Sequence, residues 1–225
     1  MSAPTELPDW ERLLSAAAHL QQILPGTTLV GGTAAAIYAN HRVSYDADHV
    51  LTDLRPRFDD VLAQLESVAG WRTARVTRPV QILGNLDGIE TGVRQLIRDE
   101  PLDTREVAVA GVRLVVPTEP ELLRIKAALI LKRNATRDYL DFAALAERVG
   151  PEATLAALAD LDRLYPQPNG ASALQQLQIQ LARPLPYDLE GTDLTEYRRL
   201  HASWQDWSRV RDVCAAIAAG LFGRL

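Results

Sequence analysis

Apolar residues recur at helical spacing through Trp10–Leu24 (Leu13, Leu14, Ala17, Leu20, Leu24), and the run stops at Pro25-Gly26. A short strand, Thr27–Val30, a sharp Gly31-Gly32 turn and a helix over Thr33–Asn40 are predicted next. Tyr45–Thr52 reads as a strand and Arg57–Val68 as an amphipathic helix ending at Gly70. From Trp71 to Val116 the pattern changes to β-branched runs broken by turns. The expected strands there are Arg72–Val76, Val80–Leu83, Thr91–Ile97, Glu106–Val109 and Arg113–Val116, with Asn85-Leu86-Asp87-Gly88 and Ala110-Gly111 as hairpin connections.

Thr118 followed by Glu121 forms a capping box with Pro120 in the first turn, so a helix is predicted from Pro120 to Arg133. Helices over Arg137–Val149 and Pro151–Leu164 follow. Pro166–Asn169 and Arg183–Pro186 read as loops, and Asp193–Phe222 as helical throughout. The predicted fold class is α/β: a mixed sheet flanked by helices over residues 1–117, then a helical C-terminal region over 118–225.

Composition adds limits rather than a function. The 47% apolar and 24% charged residues suit a globular core, and the net charge of −5 argues against a surface coated in basic residues for nucleic acid. A lone cysteine, Cys214, excludes an intrachain disulfide and reads as a small buried hydrophobe. The chain opens without a basic segment leading into an apolar stretch, and no apolar run is long enough to span a bilayer. The expectation is therefore a cytoplasmic protein without a membrane partner.

Two short stretches carry candidate chemistry. In Leu29-Val30-Gly31-Gly32-Thr33, a strand ending in paired glycines and opening a helix brings backbone N–H groups close to a ligand, an arrangement suited to phosphate oxygens. Taken alone it is also an ordinary turn. In Ser44-Tyr45-Asp46-Ala47-Asp48 on a strand, both aspartates project from one face and repel each other unless a cation sits between them. Mg²⁺ is held this way, by one or two carboxylates plus substrate phosphates; two solvated acids on an edge strand are the plainer alternative. The residues between Gly32 and Asp46 allow one helix and a return strand, so turn and carboxylates can face each other across a phosphate-sized gap.

This combination resembles the signature of the minimal nucleotidyltransferase (polymerase-β-like) superfamily. Gly31-Gly32-Thr33-Ala34 with His41-Arg42-x-Ser44-x-Asp46-x-Asp48 is similar in particular to the AbiEii-like toxins, the toxin halves of bacterial abortive-infection and toxin–antitoxin pairs. A second block agrees: Pro120-Glu121-Leu122-Leu123-Arg124-Ile125-Lys126, then Arg133, then Arg137-Asp138-Tyr139-Leu140-Asp141-Phe142. The resemblance covers residues 27–149. It implies an enzyme that moves a nucleotidyl group from an NTP to a tRNA 3′ end or a protein hydroxyl, restrained by a cognate antitoxin. In the roles it implies, Asp46 and Asp48 hold Mg²⁺ or Mn²⁺, while Gly31, Gly32, Thr33 and Ser44 contact the nucleotide. Lys126 offsets charge on the triphosphate, and Asp138 or Asp141 acts as orienter or base.

The second block also has a helical logic of its own. On a continuous helix, Lys126, Arg133 and Arg137 share one face, with Leu122, Ile125 and Leu129 as the buried stripe. A charged solvent face with surface ion pairs is the alternative. A third metal-site acid on a later strand is not evident: Glu90 is the nearest candidate, Asp87 the second, with Gln95 as the alternative occupant of that place. Without it, nucleotide binding stands but turnover is open, so a catalytically impaired nucleotide-binding or interaction module is the rival reading. His41 and His201 read as surface residues, His49 as a hydrogen-bonded core residue, and Trp204 and Trp207 as packing residues.

Overall fold

A computed structural model of the chain describes residues 10–168 and 170–222. It folds as two compact units. One comprises the described residues through Ala34 with Ser44–Pro117, the other Ala35–Val43 with the described residues from Thr118 onward.

In the first unit, α1 (Trp10–Ile23) leads into β1 (Thr28–Leu29), and α2 (Gly31–Ala39) begins directly at the glycines. β2 (Asp46–Leu51) and α3 (Phe58–Glu66) follow, then β3 (Trp71–Thr77), β4 (Gln81–Leu86) and β5 (Ile89–Gln95). These strands form one mixed sheet in the order β1-β2-β5-β4-β3, in which only β2 and β5 run parallel. Strand alternation gives the sheet two unlike faces. Leu51, Ile82, Leu86 and Val93 point into a core completed by Leu20 and Leu24 of α1 and Phe58, Val61 and Leu65 of α3. Asp46, Asp48 and Val50 point the other way and are only half-buried.

The β4–β5 turn is tighter than the sequence suggests. Asn85 and Leu86 belong to β4 and Glu90 to β5, leaving Asp87-Gly88 as the turn, with Asp87 at φ 54° and Gly88 at φ 85°. That backbone shape is the type I′ hairpin geometry that matches strand twist. The separate hairpin β6 (Thr104–Val109) and β7 (Val112–Pro117) is tied to α1 by one side chain. Gln21 donates through Nε2 to the Val115 carbonyl and accepts from the Val115 N–H, both at 2.8 Å, filling a strand's hydrogen-bonding place.

His49 sits on the core face of β2 with no exposure, and its Nδ1 lies 2.9 Å from the Ala47 carbonyl oxygen. Burial lowers its pKa to about 4, so the imidazole is neutral.

The second unit is helical: α4 (Glu119–Arg133), α5 (Thr136–Val149), α6 (Pro151–Leu158), α7 (Leu161–Leu164), α8 (Ala173–Ala182) and α9 (Trp207–Phe222). Three expectations change here. The helix predicted over Pro151–Leu164 breaks at Ala159-Asp160 into α6 and α7. The closing segment is helical only from Trp207, preceded by turns and a 3₁₀ turn at Ala202–Trp204. α8 was not foreseen; its signals are the Ser172 cap, whose Oγ accepts from the Gln175 N–H, and the spacing of Leu174, Leu177 and Leu181. Asn169, in the loop predicted over Pro166–Asn169, lies outside the described residues. Trp204 is buried and Trp207 packs edge-on against Tyr139 with ring centres 6.2 Å apart. Cys214 is fully buried, which pushes its thiol pKa up to about 12.

The buried histidine sets a pH dependence for stability. Its folded pKa lies below the unfolded value, so the unfolded chain binds more protons between the two, and stability must fall as pH drops through that window. From pH 7 to pH 5 we expect His49 to account for a loss of about 2 kcal/mol, read as the difference between wild type and His49→Gln in urea titrations. Equal pH slopes for the two proteins would show that His49 is not held neutral.

Candidate functional site

The nucleotide-site residues expected from the sequence separate into two groups, one in each unit. In the first unit, the antiparallel pairing of β1 with β2 sets Leu29 opposite His49, and the Val30 N–H donates to the Asp48 carbonyl at 2.8 Å. The chain then turns at Gly31, whose φ of 75° lies in the left-handed region that a side chain disfavours. A Cβ there would lie 3.7 Å from Asp48 Cβ and 3.9 Å from Asp48 Oδ2, so the glycine turn stands directly against the second aspartate. Gly31 and Gly32 are half-buried at the start of α2, where first-turn N–H groups have no partner within the helix.

Thr33 and Ser44 are buried and serve the carboxylate strand. Thr33 Oγ1 donates to the Asp46 carbonyl at 2.5 Å, tying the first turn of α2 to β2. Ser44 Oγ donates to Asp46 Oδ1 at 3.0 Å and fixes that carboxylate's orientation. On the far side of Asp48, Arg94 of β5 places Nη2 3.6 Å from Asp48 Oδ1.

Two carboxylates on one half-open face beside a glycine turn fit a single hard divalent cation that completes its shell with phosphate oxygens and water. A second ion does not fit equally well. Glu90 pairs in register with Asp46 across the parallel β2–β5 ladder and is exposed, and Gln95 turns its amide to the Thr52 carbonyl and the Arg55 N–H. Asp87, in the β4–β5 turn, instead meets His19, with Oδ2 2.9 Å from Nδ1. Among the described residues, no group of three acidic, histidine or cysteine side chains is placed to hold a metal.

The other group lies in the second unit. Lys126 is 2% exposed, not on a solvent face; its Nζ lies 2.6 Å from Asp141 Oδ2 and 3.8 Å from Asp138 Oδ1. Both aspartates are fully buried. Asp141 also accepts from Arg42 Nε at 2.7 Å and Nη2 at 3.0 Å, and from His41 Nε2 at 2.8 Å. His41 is therefore a core residue and not the surface residue expected. α4 ends at Asn134, whose φ of 48° breaks the helix, so Arg137 belongs to α5 and the continuous helix through Arg133 and Arg137 does not form. The buried stripe of α4 is Leu122, Leu123, Lys126, Ala127 and Ile130, with Ile125 and Leu129 half-buried. A lysine can stand in that stripe because α5 supplies two carboxylates at the same depth.

Burial by itself would raise the Asp141 pKa, but Arg42, Lys126 and His41 together hold it well below the ordinary carboxylate range. Asp138, with Arg133 Nε 3.2 Å from Oδ2, is raised, chiefly by burial and against the pull of Lys126 and Arg133. Burial lowers the His41 pKa, with Asp141 opposing, and this keeps the ring neutral as an Nε2–H donor. The sequence signal for Arg42 and His41 was their place in the family-like string; nothing in it announced a partner about a hundred residues away.

No family model matches the chain. Solved structures supply the comparison that decides the architecture. A Helicobacter pylori protein assigned as a nucleotidyltransferase superimposes with a TM-score of 0.60 at 15% identity, over 99% of this chain and 97% of that one. The Helicobacter pylori protein JHP933 gives 0.59 at 15% identity, over 100% and 95%. ANT(2″)-Ia, solved in complex with adenylyl-2″-tobramycin, gives 0.51 at 13% identity, over 68% and 97%.

The fold is a nucleotidyltransferase fold. In it, the mixed sheet carries the Asp46/Asp48 pair, with Gly31 at the start of α2 beside it, and a helical part follows. In sequence, the chain is 38% identical over 127 residues, 55% of its length, to the heme uptake protein MmpL11 of Mycobacterium tuberculosis. It is 33% identical over 132 residues to the mycolic acid-containing lipids exporter MmpL11 of Mycolicibacterium smegmatis. The chain spans about 13% of the length of these relatives. Among the described residues, no helix is long and apolar enough to cross a membrane.

The buried cluster yields a prediction about Asp141. Asp141→Asn leaves Arg42 and Lys126 buried around a neutral amide, and removing one partner of a buried ion cluster costs about 3–5 kcal/mol. We expect a drop of that size in denaturant unfolding followed by far-ultraviolet circular dichroism. Because the folded pKa of Asp141 is lowered, its stabilisation is present above the unfolded carboxylate pKa and fades only as pH falls below about 4.

Proposed function

We propose that the chain transfers a nucleotidyl group from a nucleoside triphosphate to an acceptor, using the open face of β2. The observation that carries this reading is Gly31 packed against Asp48, with Asp46 on the same face, inside a nucleotidyltransferase fold. The first-turn N–H groups of Gly32 and Thr33 would take phosphate oxygens. Ser44 would hold the Asp46 carboxylate in one orientation for the metal-bound triphosphate. A Mg²⁺ or Mn²⁺ ion held by Asp46 and Asp48 would supply Lewis-acid polarisation of the α-phosphate.

The similarity of its motifs to the AbiEii-like toxins supports a finer reading. The acceptor would be a tRNA 3′ end or a protein hydroxyl, and the protein a cytoplasmic toxin restrained by an antitoxin. No transport role is carried over from the MmpL11 proteins, of which this chain spans a small part. The roles first given to Lys126, Asp138 and Asp141 would require that lysine to leave two buried carboxylates. We read the three, with Arg42, as the charged core of the second unit. A second reading, a nucleotide-binding module without turnover, is favoured by the lack, among the described residues, of a three-carboxylate group placed to hold a metal.

Two measurements separate these readings. In calorimetric titration with each NTP, binding should require Mg²⁺, and Asp48→Asn should weaken it by about tenfold or more, at least ~1.4 kcal/mol. Equal affinity in EDTA and in the variant would remove Asp46 and Asp48 from the site. With radiolabelled NTPs, Mg²⁺ and a pool of total tRNA and lysate protein, label transfer should fall by about a hundredfold or more in Asp46→Ala, the scale of a metal's contribution. Binding without transfer to any acceptor would establish the module without turnover.

A further inference from the structure

On the open face of the sheet, β2 presents Asp46 and Asp48, β5 presents Glu90, Gly92 and Arg94, and β4 presents Gln81 and Leu83. The parallel register sets Gly92 beside Asp48, so a carboxylate facing Asp48 from β5 would have to stand at position 92. That position cannot carry one. A Cβ there would lie 2.6 Å from the Ile82 carbonyl oxygen and 2.6 Å from Leu83 Cδ2, and the carbonyl is backbone that cannot swing aside.

One pleat along the same face stands Arg94, its Nη2 3.6 Å from Asp48 Oδ1. Its cross-strand neighbour is Gln81, whose side-chain amide, oriented with its oxygen towards the guanidinium, accepts a hydrogen bond from Arg94. The Arg94–Asp48 pair is part-exposed, at 43% and 27%, so it contributes little to stability. It does fix a positive charge beside the carboxylates.

We propose that Arg94 replaces both the third carboxylate and the second cation, so that the site takes one divalent ion and the guanidinium contacts the triphosphate. This rests on the nucleotide-binding reading of Asp46 and Asp48 given above. Three carboxylates with two divalent ions carry a net charge of +1; two carboxylates, a guanidinium and one divalent ion carry the same +1. Counting the groups that flank Asp48, a triphosphate therefore meets equal charge in either site; Glu90, exposed and paired in register with Asp46, stands on that face but outside this set. The planar fork of arginine matches phosphate oxygens as a second ion would, and a second ion beside Arg94 would meet its repulsion, with Gly92 instead of a carboxylate facing Asp48 from β5.

The test is a count of Mn²⁺ bound by the full chain, by equilibrium dialysis and electron paramagnetic resonance, with a saturating mixture of the four α,β-methylene nucleoside triphosphates. Wild type should bind one Mn²⁺ per chain, with no spectral coupling to a second. Arg94→Met should keep that count and the melting temperature while nucleotide affinity falls about tenfold, the loss expected for a charge-assisted hydrogen bond. Two coupled Mn²⁺ ions in the wild type, or undiminished nucleotide affinity in Arg94→Met, would overturn the proposal while leaving the nucleotide site in place. No Mn²⁺ at all would overturn the nucleotide-site reading and this proposal with it.

Discussion

Two like charges on one face of a short strand are the constraint around which the first unit is arranged. Asp46 and Asp48 repel each other, and a fold that keeps both must surround them with positive or donating groups. The structure supplies these from three directions. Ser44 donates to Asp46 from the preceding residues, the glycine turn brings the start of α2 against Asp48, and Arg94 stands beside Asp48 from the neighbouring strand. The apolar face of the same sheet, closed by α1 and α3, holds the strand rigid enough for that arrangement to persist. The chemistry of the site and the alternation of β2 are one feature seen from its two faces.

The second unit handles charge in the opposite way. Asp141 receives three partners in a dry interior, and in doing so it fastens the segment around His41-Arg42 to α4 and α5. Arg42 and Lys126 balance Asp141 and Asp138, with Arg133 at the rim, so the charges are close to neutral as a set. Such a cluster is costly to build and more costly to break, because any single removal strands a charge without water. Replacing a buried ion cluster by well-packed apolar residues of the same volume is often neutral or stabilising, so the cluster is weak evidence of net stability even though breaking it is costly.

Much of the first unit was legible in the sequence because its signals are local. Paired glycines, alternating polarity and D-x-D spacing each involve residues close along the chain, and their consequences follow from strand and turn geometry. The mixed sheet flanked by helices, followed along the chain by a helical part, was readable for the same reason. The errors arose where partners are distant. Lys126 was expected to offset charge on a triphosphate, with a solvent face as the alternative; that two carboxylates of α5 enclose it in the interior is set by the packing of α4 on α5, which no local signal carries. His41 was read as a surface residue because its partner is Asp141.

The sequence by itself determined the period of α1 to α5 and of the strands, the glycine turn that only a residue tolerant of φ near 75° can make, and the placing of Asp46 and Asp48 on one strand face. Only the tertiary structure decided what stands beside them. The parallel pairing of β2 with β5 puts Gly92 next to Asp48 and brings Arg94 within reach, and this follows from strand order, not from any spacing along the chain. The crowding of β4 against Gly92 then forbids a carboxylate there, since steric exclusion is a property of two paired strands that neither carries alone.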